Sequence, residues 1–203
     1  APLHFALALR YHKRGQIAKA MERYKKAAAI NTKYFEPRFN IGRILMQRKQ
    51  YADAVVWYAE AVEIKPQHFE ARFNHALCLI HAGRNADAAK ALEAVAKLGK
   101  HAGRVHYLRG VVALRRAKHA TALKAFEAAV QAGYATAPVH AQIGTLHMKR
   151  KRWAKAVAAF RAALEKKADH GLALANLGSI LLRQGKVEEA APILARAAKA
   201  LPK

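Results

Sequence analysis

Residues 35–68 read FEPRFNIGRILMQRKQYADAVVWYAEAVEIKPQH. Phe39, Ile41, Ile44 and Leu45 fall at helical spacing in the first half, and Val55, Tyr58, Val62 and Ile64 do so in the second. Pro66 then acts as a stop signal. The stretch predicts two amphipathic helices around a short turn. Shifted by thirty-four residues in either direction, it nearly superimposes on what lies there.

The same step runs through the whole chain without an insertion. One column reads Ala20, Ala54, Ala88, Ala122, Ala156, Ala190, and another reads Ala8, Gly42, Ala76, Gly110, Gly144, Gly178. A third holds the large residues Tyr24, Tyr58, Leu92, Phe126, Phe160 and Leu194. Six units therefore tile the sequence as 1–34, 35–68, 69–102, 103–136, 137–170 and 171–203. Small residues at the eighth and twentieth places let two helix backbones approach, and the large residue at the twenty-fourth fills the space beside them. Gly15, Gly83 and Gly185 suit the left-handed geometry that ends a helix, whereas Lys49, Ala117 and Lys151 occupy that place less ideally. Pro66, Gly99, Gly133 and Pro202 mark unit ends. Strand-like alternation, linkers and low-complexity segments do not occur, so one continuous all-helical domain spanning 1–203 is expected.

This period and pattern resemble the tetratricopeptide repeat (TPR) family over essentially the whole chain. The last unit carries the pattern well: Leu174-x2-Leu177-Gly178-x2-Leu181, then Gly185, Ala190-x3-Leu194-x2-Ala197 and Pro202. The resemblance implies an all-α, right-handed superhelical solenoid of six hairpins that acts as an interaction scaffold. Departures are present. His75 and Arg109 stand where the pattern wants Leu or Ile, and Pro192 falls inside a second helix near its start, where its cost is reduced and a bend can form. The sequence stops at Lys203 without a polar capping helix, so either Leu194 and Leu201 are expected to be partly exposed or the parent protein continues.

Charge is the compositional outlier. The chain has 37 Lys and Arg against 13 Asp and Glu, formally +24, which favours polyanionic partners. Between Ala94 and Leu164 the only acid is Glu127. The single cysteine, Cys78, rules out an intramolecular disulfide and fits a reducing compartment. The opening APLHFALALRYHKRG has no basic segment ahead of its apolar run and does not read as a signal peptide, and no apolar run reaches a membrane span. A cytoplasmic location is expected.

By resemblance to TPR proteins, the first helix of each unit lines a concave groove. The fifth place of those helices reads Phe5, Phe39, Phe73, Tyr107, Ala141, Ala175, so the groove is expected to be aromatic over its N-terminal two-thirds. Aromatic residues there also serve packing. The sixth place holds Asn40, Asn74 and Asn176, whose amides can hold an extended backbone, though asparagine is common at this place in the family. Arg43 lies one turn beyond Phe39 and can pair with a carboxylate. Arg115 lies on a basic rim at first-helix ends, where cations also suit the helix dipole. The expected ligand is an acidic, partly apolar protein segment. The two-carboxylate clamp of chaperone-tail-binding TPRs is not matched, because its Lys and Asn places hold Phe5 and Leu9, or Phe39 and Arg43, here.

His75, Cys78 and His81 share one helix but fan around it without a fourth ligand, so no metal site and no cofactor are expected. Nucleophile motifs, phosphate-cradling glycine loops and paired carboxylates do not occur, which argues against an enzyme with a small-molecule substrate. The basic patch Lys149-Arg150-Lys151-Arg152, followed by Trp153, supports nucleic acid or an anionic surface as the alternative partner. Self-association through uncapped repeat ends, giving a homo-oligomer, is a third reading.

Overall fold

The fifteenth place of every repeat sets the turn between its two helices. Gly15, Gly83 and Gly185 have φ of 71°, 77° and 76°, and Lys49, Ala117 and Lys151 adopt the same left-handed region at 59°, 55° and 56°. The hydrogen bonds explain why the non-glycine residues are driven there. Lys49 N–H donates to Met46 O at 3.0 Å and Gln50 N–H to Leu45 O at 2.9 Å, the paired bonds that satisfy a helix's last carbonyls. The same pair forms at Gly15 and Gln16.

The structure, a computed structural model, describes residues 1–200. Leu201 and Pro202 lie outside the described residues. Among the described residues there are twelve helices and no strand. Contacts divide the chain into two compact units, Ala1–Lys100 and His101–Lys203. The first contains α1 (Pro2–Lys13), α2 (Ile17–Ile30), α3 (Phe35–Gln47), α4 (Tyr51–Ile64), α5 (Phe69–His81) and α6 (Asn85–Ala96). The second contains α7 (Ala102–Arg115), α8 (His119–Gln131), α9 (Ala137–Lys149), α10 (Trp153–Lys166), α11 (Gly171–Arg183) and α12 (Val187–Ala200). These are the six hairpins that the repeat predicts.

In the N-terminal unit each helix packs on its neighbours in sequence, with α2 on α3 and α4 on α5. Ala8, Ala20, Tyr24, Ala54, Tyr58, Ala61, Ala76, Ala88 and Leu92 are wholly buried, so the repeat columns form the core. Arg38 is buried as well, at 7% exposure. Its guanidinium donates to the α2-end carbonyls of Ala28 at 3.2 Å and Asn31 at 3.3 Å, to Tyr34 O at 3.1 Å, and to Glu60 Oε2 at 2.8 Å. One side chain thus caps the end of α2 and ties it to α3 and α4.

In the C-terminal unit α8 packs on α9 and α10 on α11, again through the columns. A Cβ added to Gly110 would stand 2.5 Å from the Phe126 ring, and one on Gly144 2.7 Å from Phe160. Bare backbone at the eighth place is therefore what admits the large ring of the second helix. Pro192 does not interrupt α12, which runs unbroken past it. Leu194 is half-buried. Two helices, α5 and α11, begin with histidine caps: His68 Nδ1 accepts from Ala71 N–H at 3.2 Å and His170 Nδ1 from Ala173 N–H at 3.3 Å.

Candidate functional site

The first helices of the N-terminal unit carry a slanted row of polar side chains: His12 on α1, Arg43 on α3 and Asn74 on α5. Each is one repeat on and three residues back from the one before. Two buried tyrosines support the row from the second helices. Tyr24 Oη lies 3.4 Å from His12 Nδ1, and Asn74 Nδ2 donates to Tyr58 Oη at 3.3 Å. Both rings are wholly buried, so they fix the orientation of His12 and Asn74 and do not themselves form the surface. The carbonyl oxygen of Asn74 has no partner among the described residues.

Arg43 is exposed and forms no ion pair among the described residues. Its charge reaches His12, Tyr24 and Tyr58. Burial lowers the His12 pKa and Arg43 lowers it further, so the imidazole is neutral at pH 7. Burial raises both tyrosine phenols, which stay protonated. The row thus offers one permanent cation, one neutral imidazole and one amide. That set accepts a carboxylate and a neighbouring peptide group.

The aromatic stripe is more enclosed than its spacing suggests. Phe39 is half-buried, with ring centroids 5.5 Å from Phe35, 5.8 Å from Tyr58 and 5.4 Å from His68. Phe73 is 5% exposed and stacks on Phe69 at 5.6 Å, and Asn40 is 9% exposed. Of the expected residues in this unit, Arg43, Asn74 and part of Phe39 are the accessible ones.

The remaining expected residues lie in the C-terminal unit. Tyr107 is half-buried, with its ring 6.0 Å from Phe126 and 5.5 Å from Tyr134, and burial raises its phenol. Arg115 is exposed at the end of α7. Asn176 is half-buried on α11. The twenty-fourth place here holds Phe126, Phe160 and Leu194, which carry no hydroxyl, so the contact that orients Asn74 has no counterpart at Asn176. Lys149, Arg150, Lys151 and Arg152 are all exposed, around the α9–α10 turn.

The histidines and cysteine of α5 do not converge. Cys78 is wholly buried, and burial pushes its thiol up to about 12. His81 stacks on Tyr51 at 4.5 Å. His75 faces a cleft of about 370 Å³ lined also by Val62, Arg72 and Leu79. Among the described residues, no three His, Cys, Asp or Glu group to hold a metal ion, and no helix is long and apolar enough to cross a membrane. The tyrosine hydroxyls under the polar row escaped the sequence reading. Their signal was Tyr in place of Phe or Leu at the twenty-fourth place of the first two repeats, where bulk alone accounts for packing.

Antiparallel hairpins repeating every thirty-four residues define a helical repeat protein. Family profiles described as tetratricopeptide repeat match residues 45–111 and 142–203, and one described as TPR repeat matches 8–46. The chain belongs to the tetratricopeptide repeat family. Among solved structures it is similar to YrrB, described as a TPR protein with an unusual peptide-binding site. That match has a TM-score of 0.70 and 20% identity, covering 89% of this chain and 93% of that one. It is similar to MamA from Desulfovibrio magneticus RS-1, with a TM-score of 0.72 and 20% identity over 80% and 92% of the two chains. It is also similar to pilF of Pseudomonas aeruginosa, with a TM-score of 0.75 and 18% identity over 95% and 87%. At these identities the likeness is one of fold. Comparison with curated protein sequences finds no match.

Proposed function

We propose that this chain is a protein-interaction scaffold whose N-terminal unit binds an acidic, extended partner segment across α1, α3 and α5. The observation that carries the proposal is Arg43. It is an exposed guanidinium without an acidic partner among the described residues, set between a neutral His12 and an Asn74 held by Tyr58. A carboxylate of the segment pairs with Arg43. The free carbonyl of Asn74 takes a backbone N–H, and Phe39 supplies apolar contact. The peptide site of YrrB and the excess of positive charge agree with this reading. The role is binding and not catalysis, in a reducing, cytoplasmic setting consistent with the single buried thiol.

The test uses fluorescein-labelled twelve-residue peptides carrying one aromatic residue and either acidic, neutral or basic flanks. Acidic peptides should bind tightest by anisotropy. Arg43→Ala should weaken them at least tenfold, a loss of about 1.4 kcal/mol or more. Equal binding of all three peptides, or an indifferent Arg43→Ala variant, would remove the proposal.

A further inference from the structure

Two cations of the C-terminal unit stand where helix physics opposes them. Lys118 stands at the N-cap of α8 and Arg152 at the N-cap of α10. N-caps favour Ser, Thr, Asp or Asn, and the positive end of the helix dipole repels a cation there. Neither residue accepts a capping hydrogen bond. Lys151 also occupies a left-handed position, at φ 56°, that glycine fills in three other repeats. Helix-end stabilisation thus explains Lys149 in the last turn of α9 and Arg150 at its C-cap, but not Lys151 or Arg152.

Compensating acids are scarce. The ion pairs of this unit join Arg161 and Lys186 to Glu189, Lys167 to Asp169, and His147 to Glu127. None engages Arg116, Lys118 or the run Lys149–Arg152 among the described residues. In the N-terminal unit, by contrast, the N-cap cation Arg84 is neutralised by Asp87 at 2.7 Å.

Because α8 packs on α9 and α10 on α11, the turns between first and second helices fall along one edge of this unit. The cations of successive turns therefore make a line. A line of charge suits a linear polyanion with regularly spaced phosphates better than it suits a planar bilayer. Trp153, which follows the run in sequence, has one face taken by the Arg183 guanidinium at 4.8 Å from the ring centroid.

We propose that the turn edge formed by Arg116, Lys118, Lys149, Arg150, Lys151 and Arg152 binds the phosphate backbone of nucleic acid without reading its sequence. This is a second surface, independent of the Arg43 row.

The test measures binding of labelled duplex DNA and single-stranded RNA, each of about twenty nucleotides, between about 50 and 200 mM salt. The intact chain should bind with a steep negative salt slope and no sequence preference. Replacing Lys149, Arg150, Lys151 and Arg152 with Gln should lower affinity for the duplex about a hundredfold or more and reduce the slope by about three to four. A charge-matched variant with Lys19, Lys25, Lys33 and Lys97 changed to Gln should lose far less, with circular dichroism melts confirming that both variants fold. Equal losses in the two variants would reduce the effect to net charge and overturn the site. So would binding to phosphatidylserine-containing vesicles or acidic peptides that depends on the four cations while nucleic acid does not.

Discussion

Arg38 Nε donates to Glu60 Oε2 at 2.8 Å, and the same guanidinium closes the carbonyl end of α2. The two partners are unequal, with side chains 8% and 41% exposed. Replacing Arg38 with Leu should therefore cost about 2–4 kcal/mol, since buried carbonyls lose their donors. Replacing Glu60 with Gln should cost about 1 kcal/mol or less. Urea unfolding of both variants checks the asymmetry. Equal losses would show that the ion pair, and not the capping of α2, holds the hairpins together.

The eighth-place glycines predict a graded series. A Cβ at Gly110 meets the Phe126 ring at 2.5 Å, whereas one at Gly42 meets Tyr58 at 3.1 Å. Alanine gains about 1 kcal/mol of helix propensity over glycine at either site. Gly42→Ala should be close to neutral, and Gly110→Ala should lose about 1–3 kcal/mol net, because the ring is walled in and must shift. Thermal melts that rank the two the other way would refute this packing.

Ala117 has φ 55° in the turn between α7 and α8. Ala117→Gly should stabilise by about 0.5–1 kcal/mol by relieving the left-handed strain. Gly83→Ala, at φ 77° in the corresponding turn, should lose a similar amount, as denaturant midpoints will report.

Stability should fall in mild acid. Burial lowers the pKa of His75, His106, His140 and His147 from 6.5. At His147, Glu127 opposes that shift, while Lys155, Arg152 and Arg150 add to it. Below about pH 6.5 the unfolded chain binds protons that the folded chain resists, so the folded state loses stability as pH drops toward 5. His147 also buries an Nδ1 without a partner. His147→Leu should flatten the dependence of Tm on pH between 7.5 and 5.5. An unchanged slope would exclude His147 as a contributor.

The repeat, its hairpins and its core columns were legible because they rest on residue size at fixed spacing. The left-handed turns at Lys49, Ala117 and Lys151 followed from register alone, against residue preference. Side-chain capping was not legible. Arg38 resembled any charged helix residue until α2's carbonyls stood beside it, and His68 and His170 are unusual caps whose Nδ1 bonds depend on backbone direction. The candidate site was legible in part. Spacing placed Arg43 and Asn74 on the first helices, but not the enclosure of Phe73 by its own stack on Phe69. Nor could spacing reveal the Tyr58 hydroxyl that orients Asn74.

The central claim is that an acidic segment lies across α1, α3 and α5 around Arg43. Amide NMR titration of the intact chain with an acidic peptide tests it most directly. The account predicts shift changes centred on His12, Arg43 and Asn74, and their loss in Arg43→Ala. Changes confined to α2, α4 and α6, or to the Lys149–Arg152 turn, would contradict it.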